Sequence, residues 1–215
     1  MLQVCFFGII PLMGECKKYD RRRGIYMKIL NFGSLNIDYV YSVDHFVQKG
    51  ETISSSQMNI FSGGKGLNQS TALGRAGAQV FHAGRIGKGG EFLVEQLKEA
   101  GVNTDLVVLD SQCSTGHAII QNDAEGDNCI LLYGGANQRI TKEQIDATLD
   151  QFDAGDYLVL QNETSNLPYL MEKAAEKQMK IVLNPSPMDE KIKVLPLDKV
   201  TLFFVNEIEA AQILG

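Results

Sequence analysis

The chain has 215 residues, 44% hydrophobic and 21% charged, the profile of one large or two small globular domains rather than of a disordered, collagenous or disulfide-stapled chain. A net charge of −6 argues against a general nucleic-acid binder and against a polybasic membrane ligand. Four scattered cysteines (Cys5, Cys16, Cys113 and Cys129) with no C-x-x-C pair fit reduced thiols in a cytoplasmic protein better than a zinc site.

The first 26 residues differ from the rest. Met1–Met13 is apolar, and Lys17, Lys18, Arg21, Arg22 and Arg23 follow it. That apolar run is shorter than the roughly 20 residues a bilayer needs, and its positive charge comes after the apolar stretch, opposite to a secretory signal. Residues 1–26 therefore read as an extension ahead of a start at Met27, with a weak membrane-surface anchor as the alternative. Residues 27–215 are the expected folded domain.

From Met27 onward, short apolar, β-branched runs predict strands at Ile29–Phe32, Val80–Ala83, Leu106–Leu109, Tyr157–Leu160, Ile181–Leu183 and Leu202–Val205. Helices are predicted between several of them. Glu91–Ala100 places Phe92, Leu93, Leu97 and Ala100 on one face, and Gly101 ends it as a C′ glycine. Thr141-Lys142-Glu143-Gln144 is a capping box opening a helix through Leu149, and Pro168 suits the first position of a helix running to Met179. Alternating strands and helices imply an α/β fold with a parallel sheet covered on both faces.

Two stretches break that rhythm. Tyr39–Val43, and the pair Gly116–Gln121 and Asn128–Tyr133 joined by the turn residues 123–127, are strands without helices between them. They predict a small second sheet, with strands around residues 39–61 and 116–133, lying over a pocket as a lid.

Ligands of open α/β sheets bind where strands end and loops begin. The first such loop, Gly33-Ser34-Leu35-Asn36-Ile37-Asp38, offers Asn36 and Asp38 as partners for sugar hydroxyls, although Asn and Asp also populate ordinary turns. The second, Ser62-Gly63-Gly64-Lys65-Gly66-Leu67-Asn68-Gln69, is a glycine turn opening a helix, where backbone approaches a ligand closely and helix N–H groups are free. It lacks the G-x-x-x-x-G-K-[ST] spacing of a P-loop, and the chain has no G-x-G-x-x-G fingerprint.

On these two loops, with Gly50-Glu51-Thr52, Gln161-Asn162-Glu163, Asn184-Pro185-Ser186-Pro187 and Asn206-Glu207-Ile208-Glu209, the sequence resembles the ribokinase (PfkB-type) carbohydrate kinases from Met27 to Gly215. The resemblance implies a three-layer α/β/α fold with a mostly parallel sheet, and an enzyme that phosphorylates a sugar with ATP. Ribose, at its 5-hydroxyl, is the leading substrate. Fructose, another pentose or a nucleoside are alternatives, as is a non-catalytic sugar-binding protein.

The same resemblance implies that Asn36, Asp38, Gly64, Lys65, Gly66, Asn68 and Glu163 hold the sugar. It places Asn206 at the ATP phosphates and Glu209 at a magnesium ion, with potassium as a further cofactor of the full-length protein. It makes the lid a dimer clasp, and hence the protein a homodimer, with no nucleic-acid or membrane partner. Phosphoryl transfer needs a base and donors for the γ-phosphate, which the family draws from a D-T-x-G-A-G-D segment. These 215 residues contain none, so no catalytic base is assigned, and the chain reads as a C-terminally truncated kinase that is inactive alone.

Overall fold

The computed structural model describes residues 4–5, 19–20 and 25–214. The expected extension, residues 1–26, lies for the most part outside them. In chain order the strands are β1 (Val4–Cys5), β2 (Tyr19–Asp20), β3 (Ile25–Tyr26), β4 (Ile29–Phe32), β5 (Asn36–Ser42), β6 (Gln57–Gly63), β7 (Val80–Lys88), β8 (Asn103–Ser114), β9 (Gly116–Asn122), β10 (Asn128–Tyr133), β11 (Tyr157–Gln161), β12 (Lys180–Asn184) and β13 (Val200–Phe204). The α-helices among the described residues are α1 (Lys65–Arg75), α2 (Glu91–Glu99), α3 (Lys142–Leu149), α4 (Leu167–Glu176) and α5 (Glu207–Leu214).

The main sheet has seven strands in the order β1-β13-β12-β11-β4-β7-β8, and every pairing within it is parallel. All four residues of β4 are buried, as expected of a parallel strand covered on both sides. Successive side chains point to opposite faces, so Leu30 and Phe32 join one core with Ile145, Leu149, Leu170 and Met171 of α3 and α4. Ile29 joins the other with Leu67, Leu93 and Leu97 of α1 and α2. β11 divides likewise, Leu158 and Leu160 to the first core and Val159 to the second. This is the three-layer arrangement. No helix among the described residues is long and apolar enough to cross a membrane.

The helix signals hold with local differences. α2 ends at its C-cap Ala100, followed by Gly101 at φ 79°. Leu93 and Leu97 are fully buried, but Phe92 is 42% exposed, because it sits about 100° around the helix from Leu93. Thr141 caps α3 by accepting a hydrogen bond from Gln144 N at 3.2 Å. α4 stops at Glu176 rather than Met179, since Gln178 adopts a left-handed conformation at φ 59°. Met179 is nonetheless buried against the first core.

The second sheet has the order β10-β9-β5-β6. β5 lies at its centre, parallel to β9 and antiparallel to β6. The strand begins three residues earlier than Tyr39, at Asn36, which pairs with both Gly63 and Gly116. Asn36 and Asp38 thus lie on a lid strand, not in a loop. The described chain passes between the two sheets four times, at Gly33–Leu35, Gly63–Gly64, Thr115 and Gly134–Arg139, and the passages meet, Gly64 against Ser34, Gly135 against Thr115 and Asn137 with Leu35.

Candidate functional site

The site is built where three of these passages meet the end of β11. The short loop after β4 places Ser34 against the N-terminus of α1. Gly66 N donates to Ser34 Oγ at 3.2 Å and Leu67 N donates to Ser34 O at 3.0 Å. A helix start has unpaired N–H groups and a partial positive charge, and here a carboxylate occupies it. Glu163, two residues past β11, accepts from Lys65 N at 3.0 Å and from Lys65 Nζ at 3.0 Å, and Ser34 Oγ also donates to it. The Glu163 side chain is 7% exposed and that of Lys65 38%, so the ammonium lies at the mouth and the carboxylate behind it.

Asp38 approaches from the lid. Partial burial, and next the Glu163 charge, raise its carboxyl above the ordinary aspartate value. A Cβ built at Gly63 would collide with all three carboxyl atoms of Asp38, so the absent side chain at 63 is what seats that carboxylate. Asn36, two residues earlier on the same strand face, is buried. Its Oδ1 accepts from Asn137 Nδ2 at 2.7 Å.

The remaining expected residues divide. Gly64 caps α1, and Gly66 packs directly on the Gly33–Ser34 backbone. Asn68 is exposed on the first turn of α1, with its backbone N bonded to Gly64 O at 3.1 Å. Asn206 and Glu209 lie apart from this group, after β13, which is three strands from β4. They cap α5 reciprocally: Glu209 N donates to Asn206 Oδ1 at 2.8 Å, and Asn206 N to Glu209 Oε2 at 3.1 Å. Among the described residues no three His, Cys, Asp or Glu side chains converge as metal ligands. A magnesium ion commonly takes only one or two protein carboxylates and completes its shell with phosphates and water. Asn184 caps its own turn, its Oδ1 accepting from Ser186 N at 3.0 Å.

Three residues of this site escaped the sequence reading as site members. Ser34 and Gln161 sit inside the quoted motifs. Gln161 Nε2 donates to Asn31 Oδ1 at 3.0 Å and to Gln69 Oε1 at 2.7 Å, while Asn31 Nδ2 donates to Gly66 O at 2.9 Å; this buried polar bridge ties two strand ends to α1. Asn137 follows Gly134-Gly135, a turn signal that carried no functional reading. The assembled groups are two acceptor-only carboxylates, one ammonium and several amides. Such a set suits a ligand bearing many hydroxyls.

Residues 27–215 match the family described as pfkB family carbohydrate kinase. The chain is 34% identical to the ribokinase of Staphylococcus aureus strain COL over 197 residues, covering 87% of this chain and 63% of that protein. A crystal structure of ribokinase from Cryptococcus neoformans in complex with ADP superposes with TM-score 0.74 at 36% identity, over 87% of this chain and 61% of that one. Arabidopsis thaliana ribokinase complexed with ribose and ATP gives TM-score 0.74 at 25% identity, over 86% and 62%. The chain thus spans less than two thirds of the length of these relatives.

Proposed function

This chain belongs to the pfkB family of carbohydrate kinases, and from that premise we propose that it binds a sugar, with D-ribose first in order, as substrate of an ATP-dependent kinase that phosphorylates the 5-hydroxyl. The domain is residues 27–215. The observation that carries this reading is that the Asp38 carboxylate, on the lid, sits against Gly63, two residues before the Lys65 that Glu163 holds at the start of α1. Glu163 is already satisfied by Lys65 and Ser34, whereas a part-buried carboxylate such as Asp38 is costly unless a partner satisfies it, and sugar hydroxyls donate to carboxylates. The relatives named ribokinase, one of them complexed with ribose and ATP, support ribose over other sugars.

In this reading Asn36, Asp38, Gly64, Lys65, Gly66, Asn68 and Glu163 surround the sugar. Asn206 faces the nucleotide phosphates, and Glu209 supplies one magnesium ligand. The metal would neutralise charge developing on the phosphates. The lid, which exposes Ile60, Ile119, Leu131 and Tyr133, is the surface for a homodimer. No residue of the 215 is assigned as catalytic base, so this chain alone is expected to bind sugar without transferring phosphate.

The test is calorimetric titration of the chain with D-ribose, 2-deoxy-D-ribose, D-fructose and a nucleoside, run beside an assay of ADP release from ATP and ribose. Tightest binding of ribose, with no ADP release, supports the reading. Preference for another sugar reassigns the substrate. Binding of none of them overturns it.

A further inference from the structure

We propose that Asn137 is a positioning residue that sets the hydrogen-bond polarity of the sugar site, by holding the carbonyl of Asn36 and turning its Nδ2 toward the ligand. The inference rests on the reading of Asn36 and Asp38 as sugar contacts and adds what kind of group they accept.

The orientation of an Asn amide is normally a matter of inference from its partners. Here the partners decide it. Asn137 lies on the chain's return from the lid and is 1% exposed. Its Oδ1 accepts from Leu35 N at 3.0 Å, and its Nδ2 donates to Leu35 O at 3.2 Å. A backbone N–H can only donate and a backbone carbonyl only accept, so the Asn137 amide cannot be reversed. Its Nδ2 therefore also faces Asn36, at 2.7 Å, and Asn36 must present oxygen to it.

With its carbonyl engaged, Asn36 keeps Nδ2 for the site. Among the described residues no protein atom accepts from that nitrogen. Asn36 and Asp38 share one face of β5, so a donor stands beside an acceptor-only carboxylate. A hydroxyl satisfies both, accepting from Asn36 and donating to Asp38; a carbonyl oxygen would leave Asp38 facing a lone pair. The arrangement needs Gly116, since a Cβ there would collide with Asn137 Nδ2 and Asn36 Oδ1. The contact joins the lid's central strand β5, its return leg and the loop after β4.

The test is side-chain amide hydrogen exchange, followed by NMR on the isotopically labelled chain with and without D-ribose. The Asn137 Nδ2 protons are expected to exchange slowly in both states. Those of Asn36 are expected to exchange readily without sugar and to be slowed at least tenfold by it. Asn36→Asp keeps an oxygen toward Asn137 but replaces the pocket-facing donor by an acceptor. It should retain the Asn137 protection and lose at least tenfold in ribose affinity. Asn137→Asp should reverse the Asn36 amide, now protecting Asn36 Nδ2 without sugar. Protected Asn36 Nδ2 protons in the unliganded wild type, or lost Asn137 protection in Asn36→Asp, would overturn the inference. Failure of the wild type to bind ribose would instead overturn the proposed function, and the exchange pattern without sugar would still decide the amide orientation.

Discussion

Glu163 holds Lys65 twice, by its backbone N and by its side-chain Nζ, each at 3.0 Å. One carboxylate from the end of β11 thus caps α1 and fixes the single cation of the glycine turn. Glu163→Gln keeps one acceptor and discards the charge. It should destabilise the chain by about 1–3 kcal/mol, the usual cost of leaving buried partners unmatched, read as a lowered midpoint in urea. Burial of Asp38 remains in this variant while the second influence on it disappears, so the Asp38 carboxyl should titrate at lower pH, measurable by carbon NMR.

Asp38 also predicts a pH dependence. A carboxyl whose titration point is raised by folding binds its proton more tightly in the native state. Its stabilising contribution is therefore complete below the ordinary carboxylate value and is lost as pH rises through the raised one. At neutral pH the ionised Asp38 opposes folding, a function-for-stability exchange common at binding sites. Asp38→Asn should melt at a higher temperature than wild type at pH 7, and the gap should narrow toward pH 4. Scanning calorimetry at several pH values reads both.

Asp110 on β8 behaves oppositely. Hydrogen bonds from Arg139 (2.9 Å), from Gln112 N (2.9 Å) and from Arg85 (3.1 Å) hold its carboxyl well below the usual carboxylate range. Its contribution is present above the ordinary value and is lost only as pH falls through the depressed one. Because Arg139 ends the return from the lid, this clamp should persist from pH 7 down to 4. Amide exchange of residues 133–139 should stay slow throughout that window, and Asp110→Asn should accelerate it at every pH within it.

Gly63→Ala isolates the seat of Asp38 from its chemistry. The added methyl must displace the carboxylate, while β6 tolerates alanine as a strand residue. Ribose affinity should fall at least tenfold with a melting temperature within a few degrees of wild type. Retained affinity would mean that Asp38 can bind sugar from another rotamer.

Much of this architecture was legible because its signals are local. The apolar run Leu158-Val159-Leu160 of β11, the Thr141 cap and the C′ Gly101 each depend on a few neighbouring residues, and each appears where expected. The strand register at Asn36 and Asp38 was not legible, because both are turn-forming residues by type and become strand only through pairing, Asn36 with Gly63 and Gly116 and Asp38 with Phe61 and Ala118. The Asn137 contacts reach 101 and 102 residues along the chain, and no pattern near Gly134 encodes such a partner. For Glu163 the motif marked the position, whereas its role as the cap of α1 emerged only when β11 and α1 were placed side by side. Asn206 and Glu209 show the limit from the other side: their spacing is that of a reciprocal helix cap, and that is the arrangement they adopt.

In the proposed function, Asp38, Glu163 and Lys65 enclose a sugar. Calorimetric titration of D-ribose into the wild-type chain and into Asp38→Ala tests it most directly. Saturable one-to-one binding to the wild type is expected, with a loss of about 1–3 kcal/mol or more in the variant, where hydroxyls go unpaired. Equal affinity of the two proteins would contradict it.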